Sequence, residues 1–123
     1  AQGDVIAERR AALKRMSGHM ETIKKTVDSE GDLSVVTERS REMLAFFQGF
    51  PALFPAGSDK GDTRARPEVW SSRADFEAAA SRMVAALTKL NTAATSGDAG
   101  ATAAAFRETG GTCGACHRQF RAR

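Results

Sequence analysis

The chain has 123 residues, of which 41% are hydrophobic and 27% charged. That is enough for one packed domain and too little for two, and it excludes a disordered chain. The net charge of +3 carries no basic stripe and gives no reason to expect nucleic acid. No apolar run approaches the roughly 18 residues of a membrane span. There is no Tyr and one Trp, while alanine is abundant, which disfavours an all-β fold.

Ala1-Gln2-Gly3 is read as the start of a chain trimmed by a signal peptidase. Apolar residues then fall at Ile6, Leu13, Met16, Met20, Ile23 and Val27, the period of a helix burying one stripe. A first helix is expected over residues 4–29, with Asp4 as N-cap or first-turn acid and Gly31 as its stop. Asp32 and Ser34 suit the start of a second helix. Val35, Val36, Met43, Leu44 and Phe47 form its stripe, and Gly49 and Pro51 end it. Residues 50–71 hold all three prolines and form the one long connection. Its Phe50, Leu53, Phe54 and Trp70 predict that it folds back over the core.

A third helix is expected after Ser71 or Ser72, with a stripe of Phe76, Ala80, Met83, Leu87, Leu90 and Ala94. Ser96-Gly97-Asp98 reads as a turn, with Asp98 capping a fourth helix over 99–121. The expected buried face of that helix is Ala105, Phe106, Cys113, Cys116, His117 and Phe120. Gly110 and Gly111 weaken it and suggest that something bulky approaches the backbone there. The fold class predicted is all-α, a single-domain antiparallel four-helix bundle over 1–123 with one long crossover between its second and third helices.

The two cysteines lie in Cys113-Gly114-Ala115-Cys116-His117. C-x-x-C-H is the attachment signature for c-type haem. On a helix the two thiols share a face and reach two vinyl groups, and His117 presents an imidazole to the iron. One covalently bound haem c is therefore expected. A redox disulfide would want a βαβ context, and a zinc site a second cysteine pair. A structural bridge closing so short a loop would stabilise little.

A four-helix pattern ending in this motif resembles the class II c-type cytochromes, in particular cytochrome c′. Cytochrome c′ is itself a standard example of an up-and-down bundle. Glu8 to Leu13 and Met16 to Met20 are similar to the family's first helix. Phe54-Pro55-Ala56-Gly57 with Arg66-Pro67-Glu68-Val69-Trp70 resembles its crossover, and Gly110 to Arg121 its haem helix. The resemblance implies that Arg9 meets a haem propionate, with Arg10 as the rival if the register shifts by one. It places Leu13 over the iron, with Phe54 completing an apolar distal pocket. It sets Arg121 beside the proximal imidazole, four residues after His117, or against a propionate.

Leucine has no lone pair, so the resemblance implies a high-spin, five-coordinate iron. Such an iron binds nitric oxide and carbon monoxide and passes single electrons. The alternative is a low-spin electron carrier with His117 and a methionine as axial ligands. Met16, three residues after Leu13 on the same stripe, is the sulfur in question, though core filling suits it well. Met20 is nearly two turns away, and His19, off the main stripe, is expected to face solvent or be partly buried. No paired carboxylates, nucleophile with its base, or phosphate loop points to an enzyme. The partners expected are a small diatomic gas and a redox protein of unknown identity, with no nucleic acid and no membrane. The resemblance further implies a bacterial periplasmic location, where c-type haem is attached, and pairing as a homodimer through the first two helices.

Overall fold

The computed structural model describes residues 2–122. Ala1, on which the reading of a trimmed leader partly rests, lies outside the described residues, as does Arg123. The elements are α1 (Gln2–Asp28), α2 (Leu33–Gln48), a 3-10 turn (Phe50–Leu53), a single helical turn α3 (Glu68–Ser71), α4 (Arg73–Thr95) and α5 (Ala99–Phe120). The four long helices form the expected bundle. α4 packs on both α2 and α5, α1 packs on α2, and α1 meets α5 only slightly.

α1 buries Ile6, Met16 and Ile23, while Leu13, Met20 and Val27 lie half-buried along its edge. The middle of the buried stripe runs through Arg9, Ala12 and His19. His19 is therefore not at the surface, because its ring finds partners on α2. Its Nε2–H donates to Glu42 Oε2 at 2.8 Å, and its Nδ1 accepts from Arg39 Nη1 at 3.1 Å. Asp4 falls in the first turn of α1, where its charge favours the helix N-terminus.

α1 ends at Asp28, and Gly31 takes part in its stop, though not at the left-handed position. The Gly31 N–H bonds Thr26 O at 2.8 Å and the Glu30 N–H bonds Val27 O at 3.2 Å, the paired bonds of a Schellman close. Glu30 takes the left-handed conformation (φ 53°) that glycine would be expected to occupy. Asp32 then caps α2, accepting from the Ser34 N–H at 2.9 Å. Asp98 caps α5 in the same way through the Ala101 N–H at 2.9 Å. Ser72 stands at the N-terminus of α4 without a side-chain bond to it, so its expected capping role is positional only.

α4 is the central helix. Phe76, Ala80, Met83, Leu87, Leu90 and Ala94 are all buried, as predicted, at alternating steps of four and three. Asn91 crosses to α2, donating to Thr37 O at 2.9 Å and Ser40 Oγ at 3.1 Å, and Ser40 is fully buried. On α5, Thr102 and Thr109 are buried at positions not expected to be. Each hydroxyl returns to the carbonyl four residues back, at 2.7 and 2.8 Å, which removes the cost of burying it.

The crossover does fold over the core. Phe50, Phe54, Phe76 and Phe120 stack in a chain of tilted and edge-to-face contacts with centroids 4.9–5.8 Å apart. Trp70 Nε1 and Arg73 hold the carbonyls around Phe54. Arg73 donates to Phe54 O at 2.7 Å and Pro51 O at 2.6 Å, and the indole donates to Pro55 O at 2.9 Å. Gly61, at φ 132°, passes so close to Ile6 that a Cβ there would sit 3.0 Å from its side chain.

Arg9 is 1% exposed. Its terminal nitrogens donate to Leu53 O (3.1 Å), Ser58 Oγ (2.8 Å), Ser58 O (2.7 Å) and Thr63 Oγ1 (3.0 Å), and its guanidinium lies 4.4 Å from the centre of the Phe54 ring. Arg9→Leu leaves those buried acceptors unpaired and is expected to destabilise the fold by roughly 3 kcal/mol or more. Chemical denaturation checks this, and a loss below roughly 1 kcal/mol would contradict the clamp.

Candidate functional site

The core of α5 is interrupted. Thr109 and Phe120 are buried, and no residue between them is. That interval carries the motif. Cys113 and Cys116 are half-buried free thiols, and the His117 side chain is exposed, so the expected buried face of α5 holds only at Ala105 and Phe120. Apart from the adjoining residues and the backbone of α5 itself, nothing comes within 4 Å of where a Cβ would stand on Gly110 or Gly111. The chain's own side chains therefore give no reason for those two glycines.

The chemistry of the three side chains is specific. Burial, followed by the neighbouring Cys116, pushes the Cys113 thiol up to about 11. Burial also raises Cys116, with Arg82 pulling the other way. Both thiols stay protonated near neutral pH. A redox dithiol would instead want a lowered pKa. Among the described residues, no three His, Cys, Asp or Glu side chains gather to hold a metal ion. Two neutral thiols side by side suit addition across vinyl groups, in which sulfur and hydrogen are both taken up by the double bond. Met83 of α4 stands against the pair, its Sδ 4.0 Å from Cys113 Sγ.

Burial first, and Arg121 second, lower the pKa of His117. Its imidazole thus keeps a nitrogen lone pair free at neutral pH, as an iron ligand requires. α5 ends at Phe120, so Arg121 does not continue the helix face as expected. It is extended (φ −118°, ψ 131°), pairs with Ala65 in an isolated antiparallel bridge, and returns its N–H to His117 O at 3.1 Å.

On α1, Leu13 is half-buried four residues after Arg9, and in the crossover Phe54 is 5% exposed beneath the Arg9 guanidinium. The four terminal donor contacts of Arg9 go to the crossover, so the expected propionate partner finds them already engaged. Arg10, the rival, pairs at the surface with Asp62 at 2.6 Å. Met16 is packed in the core and 6% exposed. His19 is engaged by α2, which leaves Leu13 as the half-buried aliphatic member of the stripe nearest Arg9. The clamp role of Arg9 escaped sequence reasoning. Its one signal was position, because Arg9 lies three residues from both Ile6 and Ala12 on the stripe.

A four-helix bundle that breaks its own core at a C-x-x-C-H turn, with neutral thiols and a neutral imidazole there, defines a c-type haem protein of the bundle class. The family model described as Cytochrome C′ matches residues 4–121. The chain belongs to that family and binds haem c covalently, and Cys113 and Cys116, its two cysteines, are consistent with the attachment motif. It is 35% identical to cytochrome c′ of Rubrivivax gelatinosus over 97% of this chain and 95% of the relative. A solved cytochrome c′ with ligand-controlled dimer dissociation superposes with a TM-score of 0.94 at 30% identity, over 100% of this chain and 98% of that one. The nitric oxide complex of a leucine-to-alanine variant of cytochrome c′ from Alcaligenes xylosoxidans gives 0.91 at 27% identity, over 100% and 97%.

A depressed histidine pKa has a defined sign. The folded ring resists protonation below the ordinary value of about 6.5, and its contribution to stability is lost as pH falls through the lowered value. Removing the cation in Arg121→Gln lets a proton compete at higher pH. The acid transition of the purified protein, followed by visible absorption, should move upward; an unchanged or lowered midpoint would refute the role of Arg121.

Proposed function

We propose that this chain is a high-spin, five-coordinate cytochrome c′ that binds nitric oxide and carbon monoxide and carries single electrons. What supports this reading is the residue that the family resemblance sets over the iron. Leu13, one turn after Arg9, is aliphatic and has no lone pair for iron. When bound, haem c supplies an iron that takes one electron or one diatomic ligand.

The protein's own residues would then divide the work. His117 donates its imidazole nitrogen from α5, and Arg121 helps keep that ring neutral. Leu13 and Phe54 wall the other side with hydrocarbon. Such a wall favours small neutral ligands and disfavours oxygen, which binds bent and gains from a hydrogen-bond donor. The nitric oxide complex of the Alcaligenes relative supports the choice of ligand.

No enzymatic step is proposed. A bacterial periplasmic location follows from where haem c is attached. Among the described residues, no helix is long and apolar enough to cross a membrane. Pairing as a homodimer is supported by the relative whose dimer dissociates under ligand control.

Optical and paramagnetic resonance spectra test the reading. The ferric protein should be high-spin, and the ferrous protein should bind carbon monoxide without losing a protein ligand. A purely low-spin ferric spectrum would overturn it. Met16→Ala should leave the spectrum unchanged; conversion from low to high spin would instead make Met16 the sixth ligand.

A further inference from the structure

Three of the four long helices close their C-termini with sequence neighbours. α1 uses its Schellman turn. The Gly49 N–H meets the Phe46 and Phe47 carbonyls of α2, and the Ser96 and Gly97 N–H groups meet Thr92 and Ala94 of α4. α5, the helix that carries the haem motif, is closed from a distance.

Its last four carbonyls have no partners within the helix. His117 O is met locally by Arg121. Arg118 O and Gln119 O each accept from Arg66 Nη1 at 3.3 Å, and Phe120 O accepts from the Arg66 backbone N–H at 2.8 Å. The Ala122 N–H closes the bridge on Arg64 O at 2.6 Å. One crossover residue thus satisfies three of the four carbonyls.

A histidine that ligates a metal is usually oriented by a hydrogen bond to its second ring nitrogen. Among the described residues nothing bonds the His117 ring, so its aim depends on the backbone turn that Arg66 holds. That hold is itself referenced to α1. The Ala65 N–H bonds Thr63 Oγ1 at 3.1 Å, and the same oxygen accepts from Arg9.

We propose that Arg66 is a positioning residue for His117, fixing the last turn of α5 and so setting how firmly the imidazole is held toward iron. The inference deepens the reading above and rests on it. It predicts that loosening this turn weakens the proximal bond and makes it easier for nitric oxide to displace the imidazole.

The test compares the holoprotein with Arg66→Ala, Arg66→Lys and Glu68→Gln. The last removes only the carboxylate 3.4 Å from Arg66 Nε. Two readouts are needed. Amide hydrogen exchange at Arg121 and Ala122 reports the turn without reference to iron, and the ferrous iron–imidazole stretch in resonance Raman reports the bond. Arg66→Ala should speed that exchange about tenfold, lower the stretching frequency and raise the fraction of nitric oxide adduct lacking imidazole. Arg66→Lys should restore part of each, and Glu68→Gln should change neither.

Faster exchange with an unmoved stretch would reduce Arg66 to a structural clasp and overturn the proposal, as would unchanged exchange. If Arg66→Ala fails to fold, Arg66→Lys carries the comparison, because one ammonium cannot reproduce the forked hold and should show the same shifts at smaller size. A wild-type protein with no such stretch would overturn the haem reading and this inference together, which separates the two failures.

Discussion

A buried guanidinium is costly to leave unpaired, and that constraint organises this molecule. Arg9 lies on the buried α1 stripe between Ile6 and Ala12, where an aliphatic residue would have been the simpler choice. Its charge can be accommodated only if the crossover supplies oxygens, so Leu53, Ser58 and Thr63 are drawn in around it. The polypeptide between α2 and α4 is thereby ordered without a helix or sheet of its own over most of its length. Phe54 is trapped under the guanidinium, and the aromatic chain to Phe76 and Phe120 continues the hold across the bundle.

The motif end of α5 follows a different logic. Its side chains are kept uncharged: thiols raised by burial, an imidazole lowered by burial and by a nearby cation. Neutral sulfur and neutral nitrogen are the forms that bond to a porphyrin edge and to its iron. The bundle contributes rigid backbone at both ends of this interval, with Thr109 buried before it and Phe120 after it. The residues between stay out of the protein's own core.

Much of this was legible in the amino-acid order. The stripe of α4, the caps at Asp32 and Asp98, and the C-x-x-C-H spacing follow from local geometry and local hydrogen bonds. What escaped were features decided by partners distant in sequence. Burial of His19 depends on Arg39 and Glu42, and burial of Arg9 depends on a loop some fifty positions away. Glu30 occupies a left-handed site beside an available glycine, a choice set by which carbonyls the turn must close. The Ala65–Arg121 bridge ends α5 one residue early, and no periodicity announces a two-residue pairing between a loop and a terminus.

Asn91 has a bearing on how this fold avoids close competitors. Apolar contact is non-directional, so by itself it resists a slip of one turn between two helices less sharply than a directed hydrogen bond does. The amide of Asn91 reaches Thr37 O and the buried Ser40 hydroxyl only in one alignment of α2 and α4. Any slipped arrangement costs the Asn91 amide both bonds, so a single side chain acts as a latch on axial register.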